Sequence, residues 1–144
     1  MGTFETFNHT ADIGLEVCGE SLADLLATAA QAVFSLIIEA GPSAVETEAE
    51  VLAEAETGAR AEWEDVFVAW LQELLYRFET ERLVPLRFEF AEAAPSGVRA
   101  RVGFGRFDPK RHRAGTEVKA VTYHELAVRE EPDGAWSARF ILDV

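Results

Sequence analysis

Two short segments at opposite ends of the sequence carry the side chains best suited to bind a metal ion. The first reads NHTADIG over positions 8–14 and contains Asp12, and the second reads ILDV over 141–144 and contains Asp143. Side chains alternate across a strand, so both carboxylates leave the core side if their apolar neighbours enter it. Oxygen donors without cysteine suit Ca²⁺, Mg²⁺ or Mn²⁺. We therefore expect a cation-binding corner if the two strand ends meet, with the terminal carboxylate of Val144 as a further donor.

A purely structural role for the two acids is the alternative. Asp12 could cap a turn, and Asp143 could simply end a strand. Clustered like charges are unfavourable unless a cation or a basic side chain offsets them. The residues alone do not show that the two segments meet, so both interpretations stay open at this point.

Other polar residues could line or support such a site. His9, His112 and His124 lack any paired-histidine spacing, which argues against a dedicated zinc centre. We expect His9 to hold the first acidic segment by hydrogen bonds or to support the metal ligands. Lys119, Tyr123 and His124 belong to the strand-like segment TEVKAVTYH, of which at most one side can face the site. The sequence contains no nucleophile or phosphate-loop motif, so we predict no catalytic residue.

A cluster of basic residues interrupts an otherwise acidic chain. The formal net charge of −13 argues against a general nucleic-acid binder. Between positions 99 and 119, however, seven basic residues accompany two acidic ones. The irregular segment 107–116 is long for a small domain, which is typical of functional loops. We expect this region to bind a partner through Arg106, Lys110, Arg111 and Arg113. A solvated loop is the alternative.

The elements that would position these residues follow from hydrophobic periodicity. Ser21 and Asp24 resemble a capping box that starts a helix over 22–40. An apolar stripe over 63–78 predicts a second helix, and alternating segments elsewhere predict strands, with hairpin turns at 95–97 and 132–134. This order predicts a single domain over 1–144 with an α+β fold, a two-layer sandwich of a mostly antiparallel sheet with two amphipathic helices on one face.

The sequence favours a cytoplasmic location. It has no apolar run near the roughly 18 residues that a membrane span needs, and its first residues lack the features of a signal peptide. The single cysteine, Cys18, cannot form an internal disulfide. We therefore expect no membrane contact.

Five blocks of the sequence, in order along the chain, resemble the archease family. They are HTADIG, WLQELLYRFETERL, FDPKRH, TEVKAVTYHELAV and WSARFILDV, and they extend across essentially the whole chain. The resemblance implies an accessory protein of the tRNA-splicing RNA ligase, which joins 2′,3′-cyclic or 3′-phosphate RNA ends to 5′-hydroxyl ends. It implies that the ligase is helped to form its guanylylated histidine from GTP over multiple turnovers, and that any contact with RNA is indirect or weak.

The resemblance also implies the metal ligands. Asp12 and Asp143 match the family's metal-binding acids, and the Val144 carboxylate is a third donor. The implied cofactor is a divalent metal ion, Ca²⁺ ahead of Mg²⁺ or Mn²⁺. Two other functions compete with this interpretation. One is a small metal-dependent phosphohydrolase using the same acids, and the other is a general chaperone of RNA-processing enzymes, which would need an exposed apolar patch.

Overall fold

Two helices and nine strands form in residues 2–9, 12–55 and 62–144, the part of the chain that the computed structural model describes. In chain order they are β1 (Thr3–His9), β2 (Asp12–Gly19), α1 (Leu22–Ile37), β3 (Ile38–Ala40), β4 (Thr47–Glu54), α2 (Trp63–Glu81), β5 (Leu83–Ala94), β6 (Gly97–Arg106), β7 (Arg113–Ala114), β8 (Ala120–Glu130) and β9 (Trp136–Asp143). The predicted α+β class is confirmed. No helix within these ranges is long and apolar enough to cross a membrane.

The strands pair in three antiparallel sheets. Four strands lie in the order β1-β2-β9-β8, three lie in the order β4-β6-β5, and β3 pairs with β7. The predicted antiparallel direction is confirmed. The division into separate sheets was not specified by the sequence, because alternation identifies a strand and its buried face but not its partner. The four-stranded sheet contains both acidic segments and therefore positions the candidate metal site.

The first helix begins at the predicted residue but is shorter than predicted. The Ser21 hydroxyl accepts a hydrogen bond from the Asp24 N–H at 3.0 Å, which caps the helix as expected. The helix ends at Ile37 rather than at residue 40, because residues 38–40 form β3 against β7. The predicted end was therefore wrong. For the same reason the segment 107–116, predicted to be irregular, contains a short strand.

The second helix supplies the centre of the core, as its apolar stripe predicted. Trp70 is fully buried, and its indole N–H donates a hydrogen bond to the Leu26 carbonyl of α1 at 2.9 Å. Phe67 meets Phe140 of β9 edge to face, with ring centroids 5.0 Å apart. Both helices contact strands of the four-stranded and three-stranded sheets. A single core is therefore shared by the helices and both large sheets.

Strand β8 lies at an edge of its sheet, and α2 covers that edge. The N–H groups of Val121 and Val128 donate hydrogen bonds to the side chains of Gln72 at 3.4 Å and Glu64 at 2.8 Å. These bonds satisfy backbone donors that an edge strand would otherwise expose. Between residues 122 and 127 the register of β8 against β9 shifts. The strand therefore bulges just beyond the acidic corner.

Candidate metal centre and basic loop

The pairing of β2 with β9 brings the two acidic segments together. Ile13 lies opposite Leu142 in this antiparallel ladder. The ladder ends at this pair, and continuing its register by one residue would set Asp12 beside Asp143, at the spacing of adjacent strands, about 5 Å between Cα atoms. On its other side, Asp143 lies opposite Ala120 of β8. The two acids are thus neighbours in space although they are far apart in sequence, and we refer to them as the acidic corner.

Both carboxylates leave the sheet on the face that points away from the helices. In β2, Leu15 and Val17 are buried whereas Glu16 is exposed, so the even-numbered side chains occupy the outer face. Asp12 belongs to this set and is half-buried. In β9, Asp143 is exposed and follows a buried leucine. The acidic corner is therefore open to solvent on the outer face.

A small apolar layer lies on this outer face beside the acidic corner. The Phe7 ring from β1 fills the space over Gly14, where any larger side chain would collide with it. The Arg139 guanidinium lies over the same ring, 3.9 Å from its centroid. Ile141, opposite Gly14 in the ladder, is only 1% exposed although it points away from the helices. Packing therefore fixes the strands that carry the two acids.

Two further acids near the corner are paired with Arg139. Its guanidinium forms ion pairs with the Glu16 carboxylate and, at 3.7 Å, with that of Glu125. Asp12 and Asp143 form no ion pair with any residue that the structure describes. Sequence reasoning missed the role of Arg139. The sequence did contain a signal for this role, because strand alternation places Arg139 on the same face as Asp143.

The residues predicted to line the site lie in different environments. Lys119 is exposed, and its N–H donates a hydrogen bond to the Asp143 carbonyl at 2.8 Å. Tyr123 is 60% exposed, and its hydroxyl donates to the Asp65 carboxylate of α2 at 3.3 Å. His124 is exposed in the bulge of β8. Lys119 is thus joined to the acidic corner through its main chain, whereas Tyr123 reaches toward α2.

The two remaining predicted residues flank the acids along the chain. The main chain of His9 lies opposite Asp12 in the β1–β2 ladder. Its side chain lies outside the described part of the structure, so the proposed supporting role stays a prediction. Val144 directly follows Asp143, is half-buried and packs against the core.

The chemistry of the acidic corner fits a hard divalent cation that keeps open coordination positions. Nowhere in residues 2–9, 12–55 and 62–144 do three His, Cys, Asp or Glu side chains form a metal-binding group, so the acidic corner has no third such side chain beside it in the described structure. Ca²⁺ takes about six to eight oxygen ligands and Mg²⁺ about six. Two aspartates and one terminal carboxylate would leave several positions for water or for oxygen atoms of a partner.

The cations of the predicted basic loop are not equally available. Arg113 forms an ion pair with Glu39 of β3 at 3.1 Å. Arg106, Lys110 and Arg111 are exposed and make no ion pair within the described ranges. These three side chains therefore carry the positive charge of the loop that is free to meet a partner.

Two other arginines of the basic segment 99–119 lie on β6, outside the loop, and face glutamates on neighbouring strands. Arg99 of β6 pairs with Glu92 of β5 at 3.0 Å. Arg101 lies between Glu50 of β4 and Glu89 of β5 in the two ladders. The excess of positive charge is therefore concentrated in the loop, and the outer face of the three-stranded sheet is a mixed-charge surface.

Comparisons with known proteins point to one family. A model of the Archease protein family (MTH1598/TM1083) matches residues 4–144. A relative from Methanopyrus kandleri named Protein archease is 40% identical over 145 residues, which are 98% of this chain and 99% of the relative. A relative of the same name from Pyrococcus furiosus is 31% identical over 147 residues and is matched over 100% of both chains.

A solved structure shares the fold. The solution structure of Methanobacterium thermoautotrophicum protein 1598 has a TM-score of 0.73 and 28% sequence identity to this chain, with 98% of each chain covered. Neither this name nor those of the relatives states an activity, a ligand or a partner.

Proposed function

Because the chain belongs to the archease family, we propose that it is an accessory protein of the tRNA-splicing RNA ligase and is not itself an enzyme. In this proposal the ligase performs the chemistry, forming a guanylylated histidine from GTP before it joins RNA ends. The accessory chain promotes that step and allows multiple turnovers. Both proteins would work in the cytoplasm, without membrane contact.

The observation that carries the proposal is the placement of Asp12 beside Asp143 on an exposed face. Their carboxylates, with the terminal carboxylate of Val144, would hold a divalent cation, Ca²⁺ in preference to Mg²⁺ or Mn²⁺. A bound divalent cation supplies positive charge that stabilises phosphate oxygens during nucleotidyl transfer. Since the protein provides only part of the coordination shell, the centre is accessible to a partner protein or a nucleotide.

Neighbouring side chains would keep this centre in a fixed geometry. Phe7 and Arg139 bridge β1, β2 and β9 on the outer face. The ion pair of Arg139 with Glu16 keeps the latter carboxylate from competing for the cation. Lys119 adds a hydrogen bond that holds the main chain of Asp143 against the start of β8. Such support is what a metal site needs to keep its ligands in place before the metal binds.

The exposed cations of the basic loop would steer the chain onto an acidic surface of the ligase. Arg106, Lys110 and Arg111 are exposed, while the whole chain carries a net charge of −13. An uneven charge distribution, with a positive loop on a negative protein, accelerates association and orients the partners. Arg113 would contribute less, because it already has Glu39 as an ion-pair partner. Contact with RNA is indirect or weak in this proposal, since a net charge of −13 disfavours binding along an extended phosphate backbone.

RNA ligation by the cognate ligase under multiple-turnover conditions tests this proposal. The assay compares wild-type chain with Asp12→Asn, Asp143→Asn and a control, Glu5→Gln. Glu5 is exposed on the same outer face, opposite Glu16, and its replacement removes the same charge. We expect stimulation by wild type and the control, and its loss in both aspartate variants, each shown to be folded by thermal unfolding. Equal stimulation by all four proteins would contradict the role of the acids, and no stimulation by any would contradict the accessory role.

Incubation with nucleotides in the absence of the ligase separates the proposal from a phosphohydrolase. Only the hydrolase predicts turnover under these conditions. The chaperone alternative requires a contiguous apolar patch. In the described residues the large exposed apolar side chains are Phe4, Leu52, Tyr76 and Tyr123. They lie on four different elements, β1, β4, α2 and β8, and capture of an unfolded substrate by the isolated chain would support the chaperone alternative.

A further inference from the structure

A polar cleft separates the segment 41–46 from the basic loop 106–112. Its volume is about 710 Å³, and it is open to solvent. Arg106, Arg111 and His112 line the cleft from the loop, and Ser43 lines it from the opposite wall. None of its lining residues belongs to the acidic corner. We refer to it as the loop cleft.

Packing and hydrogen bonds hold both walls of the loop cleft. Pro42 lies so close to Gly105 that a Cβ atom at residue 105 would be 2.6 Å from the Cβ of Pro42. Only glycine allows the first wall to approach β6 in this way. In the loop, the Asp108 carbonyl accepts hydrogen bonds from the N–H groups of Arg111 at 2.9 Å and His112 at 2.7 Å. The cleft is therefore formed before any ligand enters it.

The residues that line the loop cleft include side-chain donors and two carboxylates, each of which accepts one main-chain N–H. The Nδ1 atom of His112 accepts a hydrogen bond from the Asp108 N–H at 2.9 Å. The proton of the neutral ring is therefore on Nε2, which can donate to a ligand. Arg106 and Arg111 have no ion-pair partner in the described chain. The carboxylates of Glu46 and Asp108 accept main-chain N–H groups at 2.8 and 2.9 Å.

We propose that the loop cleft binds a phosphate group, carried by a nucleotide or by an RNA strand. The guanidinium groups of Arg106 and Arg111 each carry paired N–H donors, whose spacing matches that of phosphate oxygens. The Nε2–H of His112 and the Ser43 hydroxyl add neutral donors to the same cleft. Binding needs no ligase, so the inference goes beyond the accessory role and stands or falls separately from it.

Titration of ¹⁵N-labelled protein with inorganic phosphate, followed by NMR, measures binding at the amides of the loop cleft. We expect chemical-shift changes at Gly41, Ser43 and His112. Replacing Arg106 or Arg111 by alanine should weaken binding about tenfold or more, since a hydrogen bond to a charged group contributes on that order.

Two neighbouring cations provide matched controls. Lys110→Ala removes one positive charge from the loop and Arg113→Ala removes one from β7 directly after it, but neither residue lines the cleft. Arg113 is also paired with Glu39. We expect each control to change the affinity by less than about twofold, the small effect of an exposed charge that makes no direct contact. Equal weakening by all four alanine variants would overturn the proposal, because it would show general charge attraction rather than a site.

Three further ligands identify the source of the phosphate. They are GTP, a short RNA with a 3′-phosphate, and the same RNA with a 3′-hydroxyl. If the 3′-phosphate RNA binds more tightly than the 3′-hydroxyl RNA, the site takes the end of a strand. If the two RNAs bind equally, the site takes a backbone phosphate. If GTP binds more tightly than either RNA, the site takes a nucleotide. No shift with any phosphate ligand would overturn the proposal. An acidic peptide that shifts the cleft amides when phosphate does not would overturn it as well, and would assign the cleft to protein contact.

Discussion

Replacing Gly14 by alanine is expected to destabilise the chain through the Phe7 ring. A Cβ atom at this position would lie within the volume of that ring. Overpacking of this kind costs about 1–3 kcal/mol. Displacing the ring also breaks its contact with the Arg139 guanidinium, now 3.9 Å from the ring centroid, which is worth about 0.5–1 kcal/mol. The collision and the lost contact together should therefore lower the free energy of unfolding by about 1.5–4 kcal/mol.

A double-mutant cycle isolates this collision from other effects of the substitution. In a Phe7→Ala background the new methyl group meets no ring, and alanine in a strand is favoured over glycine by about 0.5–1 kcal/mol. That gain is common to both backgrounds and cancels in the cycle, so urea denaturation of wild type, the two single variants and the double variant should give a coupling energy of at least about 1.5 kcal/mol. If the change in unfolding free energy of the double variant equals the sum of the two single-variant changes within about 0.5 kcal/mol, the placement of Phe7 over Gly14 is refuted.

Three other changes test the helices and the basic loop. Trp70→Phe removes a buried indole N–H that bonds to α1 at 2.9 Å, and should lower the free energy of unfolding by about 2–3 kcal/mol in urea denaturation; an unchanged midpoint would contradict that bond. Ser21→Ala removes the cap of α1 and should cost about 1 kcal/mol, whereas Ser21→Gly should cost only a few tenths; equal losses would argue against capping. Neutralising Lys110, Arg111 and Arg113 together should slow association with the ligase and reduce its salt dependence, as measured by stopped flow, while metal affinity stays unchanged. Unchanged ligase activation at every salt concentration would remove the loop from docking.

Local features of the fold could be predicted from the sequence because their causes are local. The Ser21 cap needs only a hydroxyl before an apolar helical pattern, and it forms as expected. The apolar stripe of α2 and the turns near 95–97 and 132–134 are confirmed for the same reason. Alternation also placed Asp12 and Asp143 on the face opposite the core side chains of Leu15, Val17, Phe140 and Leu142.

Features that depend on pairing between distant segments could not be predicted. The end of α1 is set by the pairing of 38–40 with β7, whose residues lie far along the chain. The charge available in the basic loop depends on Glu39, which forms an ion pair with Arg113. The closeness of Asp12 to Asp143 depends on the register of β2 against β9. Alternation shows which way a side chain points, but it does not show what lies beside it.

Metal binding by the isolated chain tests the central claim most directly. Titration with Mn²⁺, followed by electron paramagnetic resonance of the free ion and repeated in competition with Ca²⁺ and Mg²⁺, should reveal one site in wild type and in the Glu5→Gln control. Asp12→Asn and Asp143→Asn should each weaken that site by at least about tenfold, since each removes one of few protein ligands. Full Mn²⁺ binding by both folded variants would contradict the claim that the two ends of the chain meet to form a metal centre.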